Sequence, residues 1–305
     1  GRRRICDVAA YSLMALFRSL AVVGPGLIGS SVLRRARETG LLADTLIAAD
    51  INPAVQERVR DLKIADVVTD SMAVAAQAEC VMICVPVGAV EATARAILPY
   101  MKPSSILTDV ASVRGQLGPT IQALLPEGVA YVPGHPMAGT EHSGPDAGFS
   151  TLFENRWSLL VPPDGADEKA VQKVQQLWEL CGARTKILSD DKHDRICAMV
   201  SHLPHLLAFT ICDTADNLSE EIRAAVLDYA ASGFRDFTRI AASDPVMWRD
   251  IFIANKDVLL ETLDRFVADA QGMAQAIREG DEAAITTRIE RGRRIRRTLI
   301  ENRQA

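Results

Sequence analysis

In GHPMAGTEHSG (134–144) an ionisable imidazole, His135, stands just after an apolar run, VAYVP. A histidine where a buried strand ends is placed to take a proton, and an ordinary pKa near ~6.5 suits that task at neutral pH. The bland alternative is a structural histidine bonded to backbone. Upstream, VVGPGLIGSS carries Gly-x-Gly-x-x-Gly at Gly24, Gly26 and Gly29, between a strand-like run and a helix-like one. In that context the pattern reads as a dinucleotide fingerprint. Gly24 permits the tight turn, Gly26 lets backbone approach a pyrophosphate, and Gly29 lets helix and strand pack closely. Free N–H groups at the following helix start, Leu27 and Ile28 among them, would face the phosphates. TLIAAD then ends in Asp50, whose carboxylate can accept bonds from both ribose hydroxyls and repels a 2′-phosphate. No arginine follows directly, so NAD is favoured over NADP.

Four further stretches carry chemistry-bearing residues. CVPVGAVE offers Pro86 and Val87, either against the cofactor or as an ordinary strand-to-helix turn. TDVASVRG (108–115) ends a strand and presents Ser112. Ligands of open α/β sheets bind at the carboxyl ends of strands, so Ser112 and His135 are expected to share one crevice with the cofactor. SHLPH sets His202 and His205 three apart, without the partners of a common metal motif, so no metal is expected. SGFRDFTRIAASDP holds Arg235 and Arg239 among apolar residues, where a planar guanidinium could grip a carboxylate or simply lie on a solvated helix face.

These residues need a scaffold, and the patterning supplies one. From about Leu20 to Leu188 short, nearly continuous apolar runs alternate with helical patterns. That alternation predicts a Rossmann-type, doubly wound, mostly parallel α/β sheet. WSLLVPP, EKAVQKVQQLWELCG and RTKILSD read as one more strand–helix–strand unit at the sheet's edge, and GHP as the end of the sixth strand. After Ser189 strand signals stop. DKHDRICAMVSHLPHLLAFTICDTADNL reads as a helix bent near Pro204, Asp244–Pro245 as a helix start, and Asp281 to Asn302 as a last helix. The long segment from 245 has Ile251, Val258, Leu259, Phe266, Met273 and Ile277 on one face. Such faces exceed what a small helical domain can bury alone, so a homodimer is expected. The division is residues 1–17 as an extension, 18–188 as the dinucleotide-binding domain and 189–305 as an all-helical substrate and dimerisation domain.

The 34 lysines and arginines against 39 aspartates and glutamates give a net charge of −5, which does not suggest a nucleic-acid binder. The basic RIERGRRIRRTLIENR has no interleaved aromatics and reads as an outer helix face. Cysteines 6, 80, 84, 181, 197 and 212 are scattered and mostly in apolar runs, as in a reduced, cytoplasmic protein. The first twenty residues are only weakly like a signal peptide, interrupted by Asp7. No run is read as long enough to span a bilayer.

VVGPGLIGSS, TDVASVRG, GHPMAGTEHSG, SHLPH and GFRDFTRIAASDPVMWRDI resemble, in order and spacing, the prephenate/arogenate dehydrogenase family of tyrosine biosynthesis. The resemblance spans residues ~18–280. It implies NAD(P)-dependent oxidative decarboxylation, with His135 accepting the proton of the ring hydroxyl as hydride leaves for the nicotinamide. It implies that Ser112 orients His135 and touches substrate, that Arg239 binds a substrate carboxylate, and that Glu141 is a gating acid near that arginine. His205 would sit near the substrate side chain, with Thr140 and Trp248 as further site residues. Members of this family are dimers with interlocked helical domains. A fused mutase before the fold or a regulatory domain after it is not expected. The alternatives are a β-hydroxyacid or 6-phosphogluconate-type dehydrogenase, with Lys192 in about the region of its lysine base, and a non-catalytic NAD sensor.

Overall fold

In the computed structural model, which describes residues 14–140 and 142–301, the apolar runs become strands of a single parallel sheet. They are β1 (Phe17–Val23), β2 (Ala43–Ala49), β3 (Val67–Thr69), β4 (Cys80–Ile83), β5 (Ile106–Asp109) and β6 (Ala130–Tyr131). Their spatial order is β3-β2-β1-β4-β5-β6, all parallel. The winding reverses between β1 and β4, which opens the crevice where such sheets bind ligands. Residues of one strand alternate between faces. Leu20 and Val22 therefore join one buried cluster, with α1 (Leu27–Thr39), while Ala21 and Val23 join the other. The second cluster packs under α4 (Val87–Ile97) and α5 (Leu117–Leu124). Burial on both faces is why these strands read as unbroken apolar runs. Cys6, Asp7 and Asn302 lie outside the described residues.

The expected sixth-strand placement of GHP needs correction. β6 is only two residues long, and Gly134–Pro136 forms β7 of a second sheet, antiparallel to β8 (Trp157–Leu160). β8 pairs in parallel with β9 (Arg184–Ile187), and α6 (Glu168–Leu180) links those two. The strand–helix–strand unit therefore exists, but not at the edge of the large sheet. Proline explains the switch. Pro133 has no N–H to continue the β6 ladder, while its carbonyl accepts from Val161 N–H at 3.0 Å and starts the new one. β7 nonetheless stays beside the carboxyl end of β5. A Cβ built on Gly134 would lie 3.6 Å from the Asp109 carbonyl and 3.2 Å from Trp178 Nε1.

From Asp190 onward the described residues form only helices. α7 (Asp190–Cys197), one π-helical turn (Ala198–His202) and α8 (Leu203–Asp216) follow one another without a break. Pro204 cannot donate the next helical bond, and the wider turn accommodates the loss, so the expected bend is a π turn. This stretch of 27 residues is long and apolar enough, by length and composition only, to cross a bilayer, contrary to the sequence reading. It carries buried His193, Asp194 and His202, whose hydrogen bonds run to neighbouring elements of the fold. α9 (Glu220–Asp228), α10 (Ser232–Thr238), a 3₁₀ turn (Arg239–Ala242), α11 (Pro245–Ala254), α12 (Lys256–Glu279) and α13 (Glu282–Glu301) complete the described chain. Asp244 caps α11, its Oδ1 accepting from Met247 N–H at 2.7 Å with Pro245 in the first turn. The long periodic segment is two helices broken at Asn255, and Gly280 ends α12 in the left-handed region at φ 65°.

Candidate active site

The glycine motif forms a cradle whose three positions differ in kind. Gly24 has φ 80°, and a Cβ there would also come within 2.8 Å of Val85 Cγ1. A Cβ on Gly29 would lie 2.7 Å from Val22 Cγ1 and 2.9 Å from the Gly24 carbonyl, so α1 can rest on β1 only through glycine. Around Gly26 there is open space, the condition for backbone to approach a ligand. Gly26 is the N-cap of α1, and no side chain caps that end, so the N–H groups of Leu27 and Ile28 face outward from an uncapped helix start. Asp50 follows β2; its Oδ1 accepts from Asn52 N–H at 2.8 Å, which fixes the carboxylate at the strand's end. Pro86 is exposed as N-cap of α4, whereas Val87 packs against the helical half beside Trp248 and Ile251. The residues present fit a dinucleotide: a glycine cradle, an uncapped helix start and a carboxylate one strand over.

The loop after β5 is held by a buried ion pair. Arg114 Nη2 lies 2.6 Å from Asp109 Oδ1, both side chains fully buried, and Tyr131 donates to Asp109 Oδ2 at 2.7 Å. Arg114 also donates to the Ala111 carbonyl, closing the loop around half-buried Ser112. Burial opposes the charge on Arg114, but Asp109 and its surroundings keep it firmly protonated. From the same loop the Arg114 and Gly115 N–H groups donate to Asp194 on α7 at 2.9 and 2.7 Å. The sheet and the helical half are thereby fastened at the site.

His135 lies in this seam. Its Nδ1 is 2.9 Å from His193 Nε2, and His193 Nδ1 is 2.8 Å from Asp194 Oδ1. Burial opposes the Asp194 charge, yet bonds from His193 and the two loop N–H groups hold its carboxyl below the usual carboxylate range. An ionised carboxylate only accepts, so His193 carries a proton on Nδ1, and in its neutral form offers a lone pair at Nε2. His135, when neutral, then donates through Nδ1 and leaves Nε2 as its bare, basic nitrogen. Burial, then the neighbouring His193, Arg114 and His202, push the His135 pKa well below its ordinary value, so the ring is neutral at neutral pH. No bond joins Ser112 to His135 among the described residues; the partner that orients the ring is His193. Cys197, one helical turn beyond His193, places Sγ 3.5 Å from His193 Nε2 and 3.6 Å from His135 Nδ1. Burial pushes its thiol up to about 12.

The remaining candidates fall on the helical side. His205 donates from Nδ1 to the Ser201 carbonyl at 2.9 Å and stacks on Trp248 with ring centroids 3.6 Å apart. Burial lowers its pKa, the Ser201 bond opposes, and the nearby Arg239 charge lowers it further, so Arg239 and His205 belong to one neighbourhood. Arg239 and Arg235 are exposed. His202 does not join His205; it bonds Asn255 Nδ2 at 3.1 Å, and burial lowers its pKa to about 4. Thr140 is exposed and accepts from His142 N–H at 3.3 Å, while Glu141 lies outside the described residues. Lys192, the alternative base, is exposed on α7, whereas its neighbour His193 is buried against His135. Sequence reasoning singled out neither His193 nor Asp194 as site residues, nor the Cys197 thiol beside them, nor the Asp109–Arg114 pair. The one available signal was His193 and Cys197 four apart, which puts them on one helix face.

The chain is similar to known proteins of one family. The family model described as prephenate dehydrogenase, nucleotide-binding domain, matches residues 34–187, and the one described as prephenate dehydrogenase, dimerization domain, matches 189–290. A cyclohexadienyl dehydrogenase of Zymomonas mobilis is 37% identical over 270 residues, covering 88% of this chain and 91% of that one. A prephenate dehydrogenase of Aquifex aeolicus, solved with hydroxyphenyl propionate and NAD+, superposes with a TM-score of 0.86 at 32% identity, over 93% of this chain and 98% of that one. A Synechocystis arogenate dehydrogenase shares the fold, with a TM-score of 0.80 at 23% identity over 92% of this chain and 99% of that one. A nucleotide cradle at the sheet's switch point, a neutral histidine in the seam and these likenesses together establish that the chain belongs to the prephenate dehydrogenase family and is an oxidoreductase.

Proposed function

We propose that the chain catalyses NAD-dependent oxidative decarboxylation of prephenate, L-arogenate or both, as a cytoplasmic homodimer in tyrosine biosynthesis. The carrying observation is the Asp194–His193–His135 chain, which leaves Nε2 of a neutral imidazole as the proton acceptor. Gly24, Gly26, Gly29 and the N–H groups of Leu27 and Ile28 would hold the cofactor's phosphates, with Asp50 on the adenosine ribose and Pro86 beside its far end. Asp50, at the end of β2, would repel a 2′-phosphate, which supports NAD over NADP. The bound cofactor would supply the hydride acceptor for the substrate's carbinol carbon.

His135 Nε2 accepts the hydroxyl proton of that carbon. Loss of carbon dioxide makes the ring aromatic, and the proton held on Nε2 returns to the ring oxygen. Aromatisation drives the reaction, so orientation and a base are the protein's contribution. Ser112, half-buried on the locked loop, is assigned to the substrate hydroxyl region, and Arg239 to a substrate carboxylate. His205, fixed flat on Trp248, is assigned to the substrate side chain, and Thr140 and Glu141 to further substrate contacts. The test is NADH or NADPH formation with each substrate and each cofactor. Turnover with NAD and at least one of the two substrates is expected; no turnover with either would overturn the assignment.

A further inference from the structure

Three soft or borderline donors meet where the base is anchored. His135 Nδ1, His193 Nε2 and Cys197 Sγ all lie within 4.8 Å of one another, with pairwise separations of 2.9, 3.5 and 3.6 Å. A point equidistant from three atoms so spaced is about 1.9 Å from each, against Zn–N bonds of about 2.0 Å and Zn–S bonds of about 2.3 Å. A cation slightly out of the ligand plane therefore reaches all three donors once the two rings, now hydrogen-bonded to each other, turn their nitrogens toward it. The second shell is also in place. Asp194 fixes His193 with its proton on Nδ1 and its lone pair on Nε2, the carboxylate–histidine arrangement that supports metal-bound imidazoles. His193 and Cys197 come from one face of α7 and His135 from β7, so the donors are held by two separate elements.

We propose that this cluster is an inhibitory site for a thiophilic divalent cation, Zn²⁺ above all, which captures the base by its far nitrogen. Two imidazoles and a thiolate are the donor set that such ions prefer, and three protein ligands leave a fourth position for water. Binding replaces the Cys197 S–H by a metal–sulfur bond and releases that proton to solvent. On His135 the proton moves from Nδ1, which now ligates, to Nε2. The atom that should accept the substrate proton is then already protonated. Oxidation stops although cofactor and substrate sites are untouched, and a chelator restores it.

Inhibition rests on the reading of His135 as the base; metal binding does not, so two readouts separate the claims. Co²⁺ titrated into the metal-free protein is expected to give a thiolate-to-cobalt charge-transfer band in the near ultraviolet at one equivalent. Cys197→Ala, with Cys197→Ser as a second variant of near-native volume, should abolish the band. In turnover assays Zn²⁺ should inhibit the native protein reversibly. Cys197→Ala should need at least about tenfold more Zn²⁺, while its metal-free kcat stays within about twofold of native. No band in the native protein, a band indifferent to Cys197, or equal inhibition of both proteins overturns the site. Co²⁺ binding through Cys197 without loss of turnover overturns the capture of the base.

Discussion

The sheet half and the helical half are built to different standards of self-sufficiency. The sheet buries two large clusters, one per face, from Phe17 to Trp178. Among the described residues the helical half has one small cluster, Val113, Trp248 and Ile251, and Val113 belongs to the sheet side. Meanwhile Leu227, Ile253 and Ile277 stay 70%, 68% and 62% exposed in the single chain. Apolar faces of that extent mark an association surface, in line with the dimerisation-domain match. The sheet half carries its own core, while the helical half leaves much of its apolar surface to what it packs against. The candidate site lies between them, where a loop of the sheet half bonds the first helix of the other. Variants at His135 and at the proposed substrate contacts should therefore cost activity first, and variants that strip the sheet side of a buried partner should cost stability first.

The largest effect should come from His135→Asn. With nothing at Nε2 to accept a proton, kcat should fall about 10²- to 10⁴-fold while substrate affinity and thermal midpoint stay near native. A midpoint shifted as much as the rate would assign His135 to structure instead. Arg114→Met should do the reverse. It leaves Asp109 buried without its partner, at a cost of about 3–5 kcal/mol by urea denaturation, and loosens the loop that carries Ser112. Full stability in that variant would show that the buried ion pair does not hold the loop. Arg239→Gln should raise KM about 10- to 100-fold with kcat little changed, the mark of a binding group on the helical side. An unchanged KM would remove Arg239 from the substrate site.

The same asymmetry governs what could be read from the chain. The cradle is contiguous, so Gly24, Gly26, Gly29 and Asp50 could be placed by spacing and context, and the structure gives each glycine a distinct steric reason. Parallel strands were legible because burial on both faces leaves unbroken apolar runs. The candidate site draws on residues 109–115, 135, 193, 194 and 255, which only folding brings together. His135 stood out because of its strand-end position, but its orienting partner, 58 residues away, did not. The second sheet was misplaced because a proline-flanked tripeptide looks like the tail of the strand before it. Asn255 interrupts a helical pattern whose periodicity barely changes across the break.

The smallest expected effect tests the sheet half alone. Glu79, 19% exposed in its side chain, accepts from Lys173 Nζ of α6 at 2.5 Å and from Arg18 N–H of β1 at 2.8 Å. Burial works against its charge, but these bonds and the two cations keep its pKa below that of a free glutamate. A carboxyl whose folded pKa lies below its unfolded one stabilises at pH above the unfolded value, near ~4.3. That contribution is lost as pH falls through the folded value. Between about pH 7 and 5 the native protein and its Glu79→Gln variant should therefore differ in stability by a constant amount, on the order of 1 kcal/mol for a pair this accessible. Below about pH 4 the difference should shrink, because the native carboxyl is then protonated too. Turnover at neutral pH should be the same in both. A Glu79→Gln variant that lost activity would mean that the sheet transmits strain from its amino-terminal edge to the seam, and that the two halves are less independent than their cores suggest.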